Sequence, residues 1–212
     1  FKLMVYVNIP ITPLADSTPP TVTRVDAKTL ARNSDTITVK STELGTVYLV
    51  KNTVTVSSIT SINNAAASQK NSVSISTVNT NTTLTTSGLE DGTYNLYAVD
   101  LLNNVSTAIA STIVMDSTAP TVSTYAVAAS GSTVTLTASE TLTLASFNAS
   151  SFSISDSGSA ISVTNATVLN QTATLTLSRS IPSGATVYFS YVPSNGVTST
   201  RLKDVIGNEM AA

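Results

Sequence analysis

Carboxylates fall into two sets whose order and spacing nearly repeat: Asp16, Glu43 and Asp100, then Asp116, Glu140 and Asp204. An asparagine follows the last member of each set at the same interval, as Asn104 and Asn208. Carboxylate and amide oxygens are hard donors, the kind that Ca2+ collects about six to eight at a time with no need of His or Cys. The sequence contains no His and no Cys, so the commonest zinc ligands and the commonest general base are both missing. Serine and threonine abound, but no Gly-x-Ser-x-Gly elbow occurs and no imidazole is present to activate a hydroxyl. Glu90 and Asp91 are adjacent, which does not imply the opposed carboxylates of a glycosidase. The chemistry these residues support is capture of a hard cation, and no catalytic residue is assigned. The ordinary alternative is that they are solvated loop acids and turn-forming aspartates.

The elements that must position these acids read as strands. Val, Ile, Ser and Thr dominate, and β-branched side chains suit a pleated surface better than a helix turn. Short runs bounded by turn residues fall at 21–25, 36–40, 46–51, 54–58, 73–78, 82–86, 94–99 and 105–115. In the second half they fall at 121–127, 133–139, 151–155, 160–165, 173–178 and 185–192. The stretch 63–71 is polar and alanine-rich, and reads as a loop with room for one turn of helix. Asp116-Ser117-Thr118-Ala119-Pro120-Thr121-Val122 repeats Asp16-Ser17-Thr18-Pro19-Pro20-Thr21-Val22. The chain therefore divides into an N-terminal strand with its linker at 1–15, one module at 16–115 and a second at 116–212. Each is expected to be a Greek-key β-sandwich. In that topology the lead-in segment, the loop after the second strand and the loop after the sixth meet at one pole. Each acidic set should converge there, with Glu90 and Asp91 of the first module approaching the Asp116 set from the other side.

Composition narrows the function further. Among 212 residues, 10% are charged and 5% aromatic, and the net charge is −2 with a pI near 4.9. Without clustered Lys or Arg, nucleic-acid binding is disfavoured. Mean hydropathy is +0.24, yet no apolar run nears the roughly 18 residues that span a bilayer. Asn81, Asn148, Asn165 and Asn170 stand in Asn-x-Ser/Thr sequons and are candidate glycosylation sites.

Three groups of residues resemble known families. Leu89-x-x-Gly92-x-Tyr94 resembles the tyrosine corner of fibronectin-type domains. Val134-Thr-Leu-Thr-Ala-Ser-Glu140, Phe152-Ser-Ile-Ser, Ala173-Thr-Leu-Thr-Leu, Val187-Tyr-Phe-Ser-Tyr191 and Leu202-Lys-Asp204-Val-Ile-Gly207-Asn208 resemble the Swm-type repeats of giant bacterial surface proteins. Asp-Ser-Thr-x-Pro and Tyr97-Ala-Val-Asp100-x-x-x-Asn104 resemble the bacterial immunoglobulin-like domains of long adhesins. The resemblance implies tandem immunoglobulin-like sandwiches in an extracellular, cell-surface setting. It implies no particular activity.

The ends of the sequence are mismatched. Phe1, Leu3, Val5, Val7 and Ile9 share one face of a strand, and the first module has strands enough without it. The second module has only Glu-Met-Ala-Ala after Asn208, too little for a last strand. Surplus and deficit match if the first strand of one subunit completes the second module of the next, and such head-to-tail addition does not close. The expectation is a homopolymeric filament or surface layer. The alternatives are a tandem repeat cut from the stalk of an adhesin, or a module that binds glycan or protein.

Overall fold

The computed structural model describes residues 15–193 and 198–210. The strand expected at 1–10, with Phe1, Leu3, Val5, Val7 and Ile9, lies outside the described residues. The chain divides into two compact units, Phe1–Met115 and Asp116–Ala212, and each carries its own core.

In the first unit the strands are β1 (Val22–Arg24), β2 (Leu30–Ala31), β3 (Thr36–Ser41), β4 (Gly45–Lys51), β5 (Lys70–Ile75), β6 (Thr82–Thr85), β7 (Gly92–Asp100) and β8 (Ile113–Met115). They form a three-stranded sheet, β1-β3-β6, and a five-stranded one, β2-β8-β7-β4-β5. The leading strand thus serves both sheets: β1 runs antiparallel to β3, and β2 runs parallel to β8. This is the Greek-key arrangement of an immunoglobulin-like sandwich. Alternation along β3 and β7 turns Ile37, Val39, Tyr94, Leu96 and Ala98 inward, where they pack with Val47, Leu49, Leu84 and Ile113. The Tyr94 hydroxyl lies 2.8 Å from the Glu90 carbonyl and 3.0 Å from that of Ser68, the backbone bonding that a tyrosine corner requires. Burial, with Glu90 and Asp91 nearby, pushes its phenol up to about 12.

Two expectations for this unit need correction. The segment 54–58 is not a strand. Ser58 instead caps a short helix, α1 (Ile59–Asn64), in a reciprocal pair of bonds with Ser61. The residues that suggested a strand, Val54 and Val56, join Ile59 and Ile62 over Tyr48, Val50, Tyr97 and Val99 on the outer face of the larger sheet. That face is apolar, so it needs a cover, and 52–66 supplies one. Nor is 105–115 one strand. Val105 bridges to Val99, the N–H groups of Ser106 and Ile109 donate to Ala98 and Leu96, and only Ile113–Met115 is regular. Even so, this segment lines one edge of β7 from end to end.

The second unit comprises β9 (Val122–Val127), β10 (Thr133–Ala138), β11 (Leu142–Thr143), β12 (Phe152–Asp156), β13 (Ser159–Ile161), β14 (Val163–Leu169), β15 (Thr172–Leu177), β16 (Val187–Tyr191) and β17 (Lys203–Asp204). One sheet has the order β14-β15-β10-β9. The opposing layer consists of β13-β12-β16 and the pair β11-β17. Val134, Leu136, Ala173, Leu175, Ile154 and Leu202 fill the space between. Phe152 packs on Tyr191 with ring centroids 5.4 Å apart, and the Tyr191 hydroxyl accepts the Leu202 N–H at 2.8 Å. Met210 is buried and donates its N–H to Leu202, so the last described residues pair along β17. Asp156 receives a two-pronged bond from Arg179, which holds its carboxyl below the usual range despite burial.

Candidate metal centre

Each acidic set is assembled within its own unit. Asp16, Glu43 and Asp100 bring ligand oxygens within 4.8 Å of one another, and Asp116, Glu140 and Asp204 do the same. The strand register explains the meeting. Asp100 ends β7 and is paired with Gly45, two residues past Glu43; Asp204 ends β17 and is paired with Leu142, two residues past Glu140. The lead-in chain is stitched alongside. Thr21 and Thr42 exchange backbone and hydroxyl bonds, and Thr121 and Ser139 repeat the pattern.

The turn after the last aspartate is the same in both units. Asp100 Oδ1 accepts the N–H groups of Leu102 and Asn104, each at 2.8 Å. Asp204 Oδ1 accepts those of Ile206, Gly207 and Asn208 at 2.9, 2.5 and 2.8 Å. A left-handed residue closes each turn, Asn103 at φ 70° and Gly207 at φ 99°, the region glycine and asparagine tolerate best. At the rim, Asp16 and Asp116 each accept the N–H two residues on, at Thr18 and Thr118, which fixes the lead-in carboxylates in Asx turns.

The asparagines play a part that sequence did not assign. Asn104 Nδ2 donates to Asp100 Oδ2 at 2.6 Å and to the Asp16 carbonyl at 3.0 Å. Asn208 Nδ2 donates to Asp204 Oδ2 at 2.7 Å and to the Asp116 carbonyl at 3.0 Å. Two acceptors on the same nitrogen set the amide's orientation, because a flipped amide would aim its oxygen at both. Asn104 and Asn208 are therefore clasps between the lead-in backbone and the aspartate, and that nitrogen is no cation ligand. The repeated Asp-x-x-x-Asn spacing was the available signal.

Residues 115–196 match the SWM repeat. The family is described as a putative flagellar system-associated repeat, and the resemblance read from Val134, Phe152, Ala173 and Val187 onward holds over this span. Asp116 and Glu140 fall inside the SWM match, while Asp204 and Asn208 lie beyond it. No curated protein matches the chain. A solved structure, the BSP domain of a biofilm-associated protein, aligns over 80% of this chain and 27% of its own length at 10% identity, with a TM-score of 0.29. At that TM-score the overlap is too loose to bear on fold or function.

Glu90 is engaged within its own unit. Its carboxylate pairs with Lys51 at 2.7 Å and accepts bonds from Gln69 and Ser68. The Lys51 bond, ahead of those from Gln69 and Ser68, holds it below the usual carboxylate range. The Asp91 carbonyl accepts a second bond from Lys51. Among the sequons, Asn81, Asn165 and Asn170 are exposed, whereas Asn148 uses its side-chain oxygen to cap a 3-10 turn at Ser150.

The electrostatics of the first centre are those of a site short of positive charge. Glu43 is pushed above its ordinary value, first by burial and then by repulsion from Asp16 and Asp100. Burial alone would also raise Asp100. Bonds from the Asn104 side chain and from the backbone of Asn104, Leu102 and Asn103 outweigh it and bring Asp100 down. A carboxyl raised on folding adds stability below its unfolded value and loses it as pH climbs through the folded one. Glu43→Gln should therefore melt higher than the parent at neutral pH in chelator. That advantage should fade as pH falls below the Glu43 range. A series of melting curves from pH 7 to pH 3.5 reads the effect.

Among the described residues, no helix is long and apolar enough to cross a membrane.

Proposed function

We propose that the chain is a non-enzymatic structural segment of an extracellular, cell-surface protein whose units are stiffened by Ca2+, and that copies join by strand donation into a filament or surface layer. The observation that carries this reading is the duplicated centre. Three carboxylates converge in each unit, on matched turns, behind matched asparagine clasps. Three negative charges so close repel one another unless a cation neutralises them, and an all-oxygen donor set selects a hard one. The ligands are Asp16, Glu43 and Asp100 in one unit and Asp116, Glu140 and Asp204 in the other. Backbone oxygens and water complete the shell. A bound ion ties the lead-in segment, the loop before β4 or β11 and the end of β7 or β17 into one rigid pole.

Calorimetric titration with Ca2+ is expected to give two sites per chain. At about 1,000 times the dissociation constant, binding to the folded state alone adds about 4 kcal/mol. Melting in Ca2+ should therefore lie well above melting in EDTA for both units. Absence of heat, together with superimposable melts, overturns the cation reading. Mg2+ should substitute poorly, since it holds to a strict six-fold geometry and sheds water reluctantly.

The second reading is a tandem repeat within the stalk of a long adhesin, and the SWM match over 115–196 favours it. Micrographs of the purified chain separate the two: a stalk segment stays monomeric, and a donating subunit forms fibres.

A further inference from the structure

We infer that the second unit carries the acceptor groove for strand donation, between Pro120–Val122 and β16, and that its occupant is the 1–9 segment of a second copy of this chain. The inference rests on the strand-donation reading above and adds the place and the register.

The two units supply an internal comparison. Pro20 and Val22 occupy the repeated lead-in of the first unit, and Pro120 and Val122 hold the same places in the second. Val22 is 4% exposed and Val122 is 38% exposed. The difference lies in what faces them. In the first unit Pro20 and Val22 face 106–109 across a groove of about 320 Å³, so the volumes are alike, but there the opposite wall is a segment that bonds to the edge of β7. In the second, Pro120 and Val122 face Phe189, Tyr191 and Met210 across a groove of about 340 Å³. Among the described residues, β16 is paired on one side only, with β12. Tyr94, Leu96 and Ala98, which point inward from β7, are sealed, whereas Val187 and Phe189 of β16 remain partly open.

What lies along the edge of β7 in the first unit also defines the occupant. It is an extended segment that bonds to the strand edge and turns Ile109, Ile113 and Met115 toward the core. A filler for the second groove needs unpaired backbone and alternate apolar side chains, and it must bring no charge to a wall of Pro, Thr, Val, Phe, Ser, Tyr and Met. The 1–9 segment meets each requirement. Phe1, Leu3, Val5, Val7 and Ile9 alternate, and its one charged residue, Lys2, falls on the opposite face. Laid along β16, it covers Val122 and Phe189 as 106–115 covers Val22 and β7.

The absence of cysteine permits a direct test. A Val5→Cys chain is mixed with a Val122→Cys chain under mild oxidation. The control partner is Leu169→Cys, on β14 and 76% exposed. Docking holds the two thiols at high effective concentration, so the Val5–Val122 mixed dimer should exceed the Val5–Leu169 dimer by about tenfold. Equal yields overturn the groove. So does a bridge that forms only inside single chains bearing both substitutions, since the occupant then comes from the same copy. Fibres from the parent chain without the Val5–Val122 bridge reject the groove and leave strand donation standing. Fibres unchanged by deletion of residues 1–10 reject strand donation itself.

Discussion

Asp204→Ala is expected to unfold the second unit at markedly lower urea than the parent, with the first unit's transition unmoved. Asp204 is 1% exposed, and its carboxylate accepts three backbone N–H groups and the Asn208 amide. Bonds to a charged acceptor are each worth about 1.5–3 kcal/mol, and orphaned buried donors add their own desolvation penalty. The four share one acceptor and do not add in full, so the expected loss is about 4 kcal/mol. Against the 5–15 kcal/mol typical of a whole domain, about this much is a large fraction. Asp204→Asn separates the turn from the proposed cation ligation. It retains one oxygen for the turn and should recover part of the stability, while calorimetry shows the second unit's Ca2+ heat abolished. A full Ca2+ response in Asp204→Asn would remove this residue from the centre.

Gly45→Ala should be equally damaging to the first unit. Gly45 begins β4 between Ile75 of β5 and Asp100 of β7. A Cβ there would stand 2.0 Å from the Val99 carbonyl oxygen and 2.8 Å from the Asp100 Cα. Both atoms are backbone in the middle of a sheet, so relief requires β4 and β7 to part. The backbone also has φ +145° at this position, which L side chains rarely adopt. Strain and lost pairing together put the cost at about 4 kcal/mol or more. Gly88→Ala is the matched control. Its φ is +83°, but nothing lies within 4 Å of the added carbon, so only the conformational cost of about 1 kcal/mol applies. Urea curves for the two variants should differ widely, and the Gly45 variant should lose the first Ca2+ site along with its fold.

Period-two patterning made most of the strands legible, because Ile37-x-Val39 and Tyr94-x-Leu96-x-Ala98 can bury one face only as strands. The acids were legible for a different reason. Glu43, Asp100 and Glu140 follow or end recognisable strands, Asp16 and Asp116 lead into them, and Greek-key connectivity carries those ends to one place. Residues 54–58 misled because Val54 and Val56 alternate as a strand would, yet their apolar partners lie on the outer face of a sheet already formed. A pattern that describes one segment says nothing about which surface it covers. The partner of Glu90 was not legible, because Lys51 is distant in sequence and adjacent only across the fold. The asparagine clasps were half visible: spacing placed Asn104 and Asn208 near the aspartates, but which end of an amide faces a carboxylate depends on the backbone carbonyl beyond it.

That backbone carbonyl has a further consequence. Asn104 reaches back 88 residues to Asp16, and Asn208 reaches back 92 to Asp116, so each clasp joins the segment leading into a unit's first strand to the turn after β7 or β17. Contacts of such long range carry the largest loop-closure cost and cannot seed folding. However a unit is made, the centre does not exist until the segments on both sides of the clasp are present. A cation bound at the proposed centre would then act as a ratchet on a unit whose clasp has closed and leave a half-made one alone.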